Sequence, residues 1–98
     1  MLKKSYSKTG RSCRVTFKVP PPVEADQVAL VGEFNEWEPE AHRLKKRKDG
    51  SFSLTVSLDS GRDYRFRYLV DGEVWTNDDE PDKFVPNRYG SADGVVAV

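Results

Sequence analysis

Acidic and nucleophilic side chains are the residues of this chain that could act on a substrate. Three acids, Asp78, Asp79 and Glu80, stand side by side in the run N-D-D-E-P-D. Paired carboxylates hydrolyse a glycosidic bond only when they face each other across a cleft, and neighbouring acids on one loop do not. His42 and Cys13 stand in no nucleophile motif. The residue pattern therefore predicts no enzyme activity and no catalytic residue.

The same acidic run offers carboxylate and amide oxygens, which calcium prefers as ligands. Its spacing is not that of an EF-hand loop, so we expect a solvated loop with no metal and no cofactor. Cys13 is the single cysteine, which excludes an internal disulfide, and we expect a packed thiol at the start of a strand.

The two tryptophans offer a different chemistry, which is sugar binding. The apolar run from Val28 predicts a buried strand that stops at Gly32, after which Phe34 folds back into the core. Trp37 is then left near the surface, before Glu38 and Pro39, either as a binding platform or as a cap on the core. An indole is a flat face for the apolar C–H side of a glucose ring. Two such faces and one or two charged partners predict a dissociation constant of about 10⁻⁵–10⁻³ M.

Short alternating segments must position these side chains. Strands are predicted at residues 13–19, 28–32, 51–58, 63–70 and 95–98, with Trp75 on a return strand after residue 70. Turn signals separate them, and Pro20–Pro22 form a stiff connector. With no helical period, the pattern predicts an all-β antiparallel β-sandwich. We expect a loose basic arm at residues 1–12 and a single domain at residues 13–98.

The alternation of apolar and polar residues also predicts which side chains of a strand face the core and which face solvent. In residues 51–58 the inward side chains are Phe52, Leu54, Val56 and Leu58, and the outward ones are Ser51, Ser53, Thr55 and Ser57. In residues 63–70 the inward side chains are Tyr64, Phe66, Tyr68 and Val70, and the outward ones are Arg65, Arg67 and Leu69.

The charge balance and the lack of long apolar segments argue against several other functions. The chain has 98 residues, with 16 basic and 16 acidic side chains, so no overall field attracts nucleic acid. The basic run Lys45–Lys48 leaves a nucleic-acid or localisation role open, but the following Asp49-Gly50 favours solvated residues of a short strand before a hairpin turn. The sequence has no apolar signal region and no membrane span, which favours the cytoplasm.

The run G-E-F-N-E-W at residues 32–37 resembles the G-x-F-N-x-W signature of carbohydrate-binding module family 48. That family includes the glycogen-binding domains of AMP-activated kinase β subunits and the early-set domains of isoamylases and glycogen branching enzymes. Further matches follow in order: D-G-S-F at 49–52, Y-R-F-R-Y-L-V-D-G at 64–72, Trp75, and Y-G-S-A-D-G at 89–94.

The resemblance implies an immunoglobulin-like early-set domain that binds α-1,4-glucan, such as glycogen or starch, without catalysis. It also implies an accessory role beside glycoside hydrolase family 13 or other glycogen-metabolising enzymes. The resemblance implies that six positions form the carbohydrate-binding site. Trp37 and Trp75 match the two tryptophans of the family's sugar platform. The other four differ from the residue found in the family, and they are Arg67 (lysine in kinase β subunits), Tyr89 (leucine), Ser91 (threonine) and Asp93 (asparagine). The alternative function is an early-set protein-interaction module without sugar affinity.

The turn after residue 70 decides where Trp75 points. A two-residue turn, Asp71-Gly72, would place Trp75 opposite Tyr68 in the core. A three-residue turn that includes Glu73 would place it on the outer face with Arg67. We predict the three-residue turn, helped by a bulge, with Val74 paired to Val70 on the inside.

Overall fold

A computed structural model describes residues 2–19 and 25–98. The predicted connector Pro20–Pro22 lies outside the described residues. In chain order the strands are β1 (Leu2–Tyr6), β2 (Ser12–Val19), β3 (Val28–Gly32), β4 (Lys45–Lys46), β5 (Phe52–Asp59), β6 (Asp63–Val70), β7 (Val74–Thr76), β8 (Lys83–Pro86) and β9 (Ala92–Ala97). A short 3₁₀ turn, Glu33–Asn35, follows β3.

The strands form two antiparallel sheets that face each other. Sheet A has the order β1-β2-β5-β4, and sheet B has the order β3-β6-β9-β8, with β7 paired to β6. This arrangement confirms the predicted antiparallel β-sandwich. Within the described residues, no helix is long and apolar enough to cross a membrane.

The core lies between the two sheets and is built from their inward side chains. The Phe17 ring of β2 meets the Phe66 ring of β6 edge to face, with centroids 5.1 Å apart. Tyr64 and Tyr68 are buried on the same face of β6, as the alternation predicts. Cys13 is fully buried, which confirms the packed thiol. Each buried phenylalanine contributes on the order of 1.5–3 kcal/mol through the area it removes from water.

The amino-terminal arm is partly a strand. A loose arm was expected at residues 1–12, but β1 pairs along its length with β2, from Leu2 opposite Phe17 to Tyr6 opposite Cys13. The Lys4 ammonium lies 2.7 Å from a carboxylate oxygen of Asp82, near the start of β8. This strand was missed because its side chains are mostly polar, as those of an edge strand commonly are.

The carboxyl-terminal hairpin is also longer than predicted. The predicted last strand, residues 95–98, is β9 from Ala92 to Ala97, and β8 pairs beside it. Pro86 ends β8, which a proline can do on an edge strand.

Two outward residues near the start of β5 are buried instead of solvated. Ser51 and Ser53 were predicted to face solvent, and the structure buries both. The preceding hairpin folds over them, since Arg47 Nε donates to Ser53 Oγ at 2.7 Å and Ser51 Oγ donates to Asp49 Oδ1 at 2.6 Å. The strand residues Lys45 and Lys46 are exposed, as predicted for the basic run.

Candidate functional site

The loop after β3 begins where two strands come very close. A side chain at Gly32 would place its Cβ 2.6 Å from the carbonyl oxygen of Arg65 on β6, which only glycine avoids. The next residue adds a bond across the same gap, because the Arg65 amide donates to Glu33 Oε1 at 2.6 Å. The start of the loop is therefore fixed to β6.

Phe34 turns back into the core, as predicted. Its ring centroid lies 5.7 Å from that of Phe17, 6.0 Å from that of Tyr64 and 6.2 Å from that of His42. These tilted and edge-to-face contacts are favourable geometries for aromatic rings. The loop is thus anchored from inside the sandwich.

Asn35 ties the loop together through its side-chain amide. Its Oδ1 accepts from the Gly32 amide at 3.0 Å, and its Nδ2 donates to the Leu30 carbonyl at 2.9 Å. The same Nδ2 lies 2.9 Å from His42 Nδ1, which then acts as an acceptor. Sequence reasoning missed this role of Asn35 and His42, although an asparagine between two aromatics in a short loop is a signal of local side-chain bonding.

Trp37 emerges from this loop with its ring at the surface. Its amide donates to the Gly32 carbonyl at 2.9 Å. Its φ of 59° follows a φ of 56° at Glu36, so two consecutive non-glycine residues are left-handed. Such a conformation costs about 1–2 kcal/mol per residue and is typical of functional sites. The side chain is 37% exposed.

The rest of the loop lies over the outer face of sheet B, which is the face turned away from the core. Arg43 forms an isolated bridge with Ala29 of β3. Pro39, Ala29 and Leu69 line one small crevice of about 50 Å³. Leu69 was predicted to point outward and does so, but it is only 7% exposed because this loop covers it. The loop that carries Trp37 therefore shares a face with the outward residues of β6.

The turn between β6 and β7 contains three residues, as predicted. Val70 pairs with Val74, and Leu69 pairs with Trp75. Asp71 and Gly72 have φ values of 51° and 70°, the left-handed pair of a tight hairpin turn. The Glu73 amide donates to the Val70 carbonyl at 3.0 Å, so Glu73 and Val74 both oppose Val70, which is a bulge.

This turn places Trp75 on the outer face of sheet B. Paired residues share a face, so Trp75 lies with Leu69 and, two residues along β6, with Arg67. Its side chain is 46% exposed. The prediction that Trp75 points outward is confirmed. The expectation that Val74 lies inside is wrong, because Val74 is 59% exposed on a short strand at the corner of the sheet.

Arg67 lies between β3 and the last strands on this outer face. It is paired with Val31 of β3 and is half-buried. Its Nε is shielded from solvent and has no hydrogen-bond partner among the described residues. An unpaired buried donor is costly and needs an explanation.

The loop between β8 and β9 carries Tyr89 and Ser91 and is organised by Asn87. Asn87 Oδ1 accepts from the amides of Tyr89 at 3.0 Å and Ser91 at 3.2 Å. Tyr89 is the most exposed large apolar side chain among the described residues, and the Arg88 guanidinium lies 5.2 Å from its ring centroid. Asn87 was missed by sequence reasoning, although asparagine often bonds to the backbone two residues later.

Asp93 links this loop to β6. Its Oδ1 accepts from Asn87 Nδ2 at 3.1 Å, and its Oδ2 lies 3.7 Å from Arg65 Nη1. Asp93 is buried rather than exposed. The pairing of β6 with β9 ends at Phe66 and Gly94, so the next pair in register is Arg67 and Asp93. Asp93 therefore belongs to the same outer face as Arg67 and Trp75.

The acidic run at residues 77–82 is not simply a solvated loop. Asp78 is only 3% exposed, and the Tyr68 hydroxyl donates to its Oδ2 at 2.6 Å. Burial, and then the nearby Asp78 carboxylate, raises the pKa of Tyr68 above its ordinary value of 10.0. This carboxylate is engaged in fixing the loop to the core.

Comparison with known proteins finds a matching family and similar proteins. The family described as the glycogen recognition site of AMP-activated protein kinase matches residues 15–98. Two proteins named 1,4-alpha-glucan branching enzyme GlgB 2, from Xanthomonas campestris pv. campestris strains 8004 and ATCC 33913, are each 36% identical over 52 residues. That alignment covers 51% of this chain and 7% of each relative.

Proposed function

Because the chain belongs to the family of glycogen recognition sites of AMP-activated protein kinase, we propose that it binds α-1,4-glucan through a surface platform and catalyses no reaction. The platform consists of Trp37 and Trp75, together with Arg67. The main support for this proposal is the outward Trp75, which stands on the same face of sheet B as Arg67.

The chemistry of these side chains suits a glucan. Each indole can stack on the apolar face of one glucose ring, which contributes on the order of 1 kcal/mol from about 50 Å² of buried surface. The Arg67 guanidinium can donate hydrogen bonds to sugar hydroxyls, and such charged bonds contribute about 1.5–3 kcal/mol each before desolvation. Tyr89 and Ser91 stand exposed on the neighbouring loop, where they are placed to extend the contact.

The affinity for one short oligosaccharide should be weak because few groups contribute and association has its own cost. A polymer with many equivalent sites compensates through avidity when the domain is tethered to a second binding or catalytic unit. We propose glycogen-metabolising enzymes as such units, since the curated relatives are named as glucan branching enzymes.

A titration with maltoheptaose, followed by ¹H–¹⁵N NMR, tests this function. We expect saturable shifts at the indole signals of Trp37 and Trp75, and co-sedimentation of the protein with insoluble starch. Cellulose is the matched control polymer, because its β-1,4-linked chain is flat and would not follow the same platform. A folded protein that shows no shifts and stays in the supernatant would contradict the proposal and favour the protein-interaction alternative.

The absence of catalysis has its own test. Purified protein incubated with maltoheptaose should release no reducing ends above the buffer control. Release that is lost in Asp78→Asn or Glu80→Gln would contradict this part of the proposal.

A further inference from the structure

Two buried side-chain nitrogen or oxygen atoms on the described part of the chain have no hydrogen-bond partner. They are Nε of Arg67 and Oδ1 of Asn77. Native structures satisfy almost all buried polar groups, so each exception calls for an explanation. One lies on β6 and the other directly follows β7, its neighbouring strand, which points to a common cause.

Both residues lie where β6 passes from one neighbouring strand to another along the same edge. β7 pairs with β6 as far as Tyr68–Thr76, and β9 pairs with β6 as far as Phe66–Gly94, so Arg67 stands at the gap between the two pairings. Asn77 directly follows the last paired residue of β7 and bonds to the Ala92 carbonyl at the start of β9. Arg67 and Asn77 therefore belong to one junction of sheet B, next to the strand that carries Trp75.

The orientation of the Asn77 amide follows from its other bond. Nδ2 donates to the Ala92 carbonyl at 2.9 Å, at the start of β9. The reversed amide would bring two acceptors together, so the unpartnered atom is the carbonyl oxygen. The junction thus presents an unpaired acceptor on Asn77 and an unpaired donor on Arg67.

This donor–acceptor pair matches a neutral diol better than an anion. A hydroxyl group both donates and accepts, so of two neighbouring sugar hydroxyls one can donate to Asn77 and the other can accept from Arg67. A phosphate or carboxylate would meet the Asn77 carbonyl oxygen, which has no proton to offer it. The adjacent exposed indole of Trp75 adds the stacking surface that a sugar ring needs.

We propose that Asn77 is a specificity-determining residue of the glucan site, an inference that rests on the proposed function. A glucose unit stacked on Trp75 donates one hydroxyl to Asn77 Oδ1 and accepts from Arg67 Nε through its neighbouring hydroxyl. Both atoms are shielded in the free protein, but both residues are only half-buried. A side-chain rotation on binding brings them to the ligand, as is common at binding interfaces.

The test measures affinities of the wild type, Asn77→Ala and Arg67→Met for maltotriose and for its monodeoxy analogues, each lacking one hydroxyl of the stacked unit. A neutral hydrogen bond is worth about a three- to tenfold change in affinity. We expect one deoxy analogue to bind the wild type about three- to tenfold more weakly than maltotriose does. The same analogue should bind Asn77→Ala with the affinity that it has for the wild type. The analogue that lacks the neighbouring hydroxyl should likewise bind the wild type and Arg67→Met with equal affinity.

Thr76→Ala is the matched control, because Thr76 pairs with Tyr68 on the opposite face of the same strand. It should keep the full discrimination between maltotriose and the deoxy analogues. Melting curves establish that each variant is folded, and if Asn77→Ala is not, Asn77→Ser and Arg67→Met carry the test.

The outcomes separate the two proposals. If the wild type binds maltotriose but no deoxygenation couples to residue 77 or 67, the inference is overturned and the proposed function stands. If the wild type binds neither maltotriose nor starch, the proposed function fails and this inference fails with it.

Discussion

At the residue scale, the residues from Gly32 to Trp37 have two kinds of role. Some of them hold the loop in place, and Trp37 places its ring at the surface. Gly32 permits the close approach of β3 and β6, Phe34 fills the core, and Asn35 bonds the loop to itself. Trp37 takes part in the loop through its backbone amide and leaves its ring at the surface. Changes to the Trp37 side chain should therefore alter binding with little effect on folding.

Trp37→Ala should weaken glucan binding about fivefold or more, since one stack contributes on the order of 1 kcal/mol. The loss of stability should stay below that of a fully buried aromatic, because the Trp37 side chain is 37% exposed. Phe84→Ala is the matched control, since Phe84 is an exposed aromatic on β8 outside the proposed site. A stability loss of about 3–5 kcal/mol, which is typical of removing a core aromatic, would show that Trp37 is a cap on the core.

The Tyr68–Asp78 bond should make the protein sensitive to alkali. The pKa of Tyr68 is raised in the folded state, so its proton stabilises the fold below the unfolded pKa of about 10 and that stability is lost as the pH rises further. The free energy of unfolding should fall above pH 10 by up to about 1.4 kcal/mol per pH unit from this group.

Urea unfolding between pH 8 and pH 11.5 measures that slope. Tyr68→Phe should be less stable at pH 8, because Asp78 loses a bond, yet its stability should fall less steeply above pH 10. Asp78→Asn keeps an acceptor for the Tyr68 hydroxyl and removes the charge, but burial, the larger cause of the raised pKa, remains, so its slope should stay close to that of the wild type. Equal slopes in all three proteins would argue against this account.

Prediction from sequence succeeded for residues whose position is determined by the hydrophobic pattern of their own segment. Phe34, Cys13 and the inward residues of β6 follow from hydrophobic period and size. Asn77 and Asp93 could not be assigned in this way, because their bonds run to Ala92 and Asn87. Such partners become visible only once the strand register is known.

At the element scale, the β6–β7 turn decides whether the second tryptophan is available. Its left-handed pair, Asp71-Gly72, is the pair that a two-residue hairpin prefers, and Glu73 is an added bulge residue. Asp71 Oδ1 also accepts from the amides of Asp26 and Gln27, at 2.8 Å and 2.9 Å, which fixes the turn to the segment before β3.

Deleting Glu73 should leave Trp75 on the outer face, because removal of the bulge restores a two-residue turn with Leu69 still opposite Trp75. Glucan affinity should stay within about twofold of the wild type. A one-residue slip of the β6–β7 register would instead remove the stacking of Trp75 on a glucose ring, which contributes on the order of 1 kcal/mol. NMR titration gives the affinity, and the tryptophan emission maximum reports the burial of the ring. A blue-shifted maximum together with lost binding would show that the register had slipped.

Gly72→Val is the contrasting variant for this turn. A Cβ at Gly72 would meet nothing within 4 Å, so the cost comes from the left-handed φ of 70° alone. We expect a loss of about 1–2 kcal/mol in the free energy of unfolding.

Strand prediction from sequence was most accurate where the hydrophobic pattern of a strand is clear. Strands β2, β5 and β6 were predicted nearly to their ends, because one side of each faces the core and gives a clear alternation. Edge strands β1 and β8 were missed, since polar side chains and Pro86 hide the alternation there. The loop over Leu69 was missed for a different reason, because coverage by a distant segment leaves no local pattern.

At the scale of the whole molecule, the balance of 16 basic and 16 acidic residues sets the expected response to salt. A neutral glucan releases no counterions when it binds, whereas nucleic acid releases several. Stacking and hydrogen bonding to neutral hydroxyls should therefore depend little on ionic strength.

Co-sedimentation with insoluble starch should change less than about twofold between 50 and 500 mM NaCl, because Debye screening acts on charges and not on stacked rings. A DNA mobility shift through the Lys45–Lys48 run, if one is seen, should disappear over the same range. Starch binding that collapses with salt would show that charge, and not the indole faces, holds the polymer.

The pairing of β1 with β2 has a practical consequence for the boundaries of a recombinant fragment. A protein that begins at Ser12 would keep every residue of the predicted domain and yet leave β2, a strand of eight residues, as an open edge. Open edges pair with other chains, and this is a common route to aggregation. Sedimentation velocity at rising concentration should show stronger self-association for this fragment than for the full chain. Equal behaviour of the two proteins would show that β1 does not protect the edge.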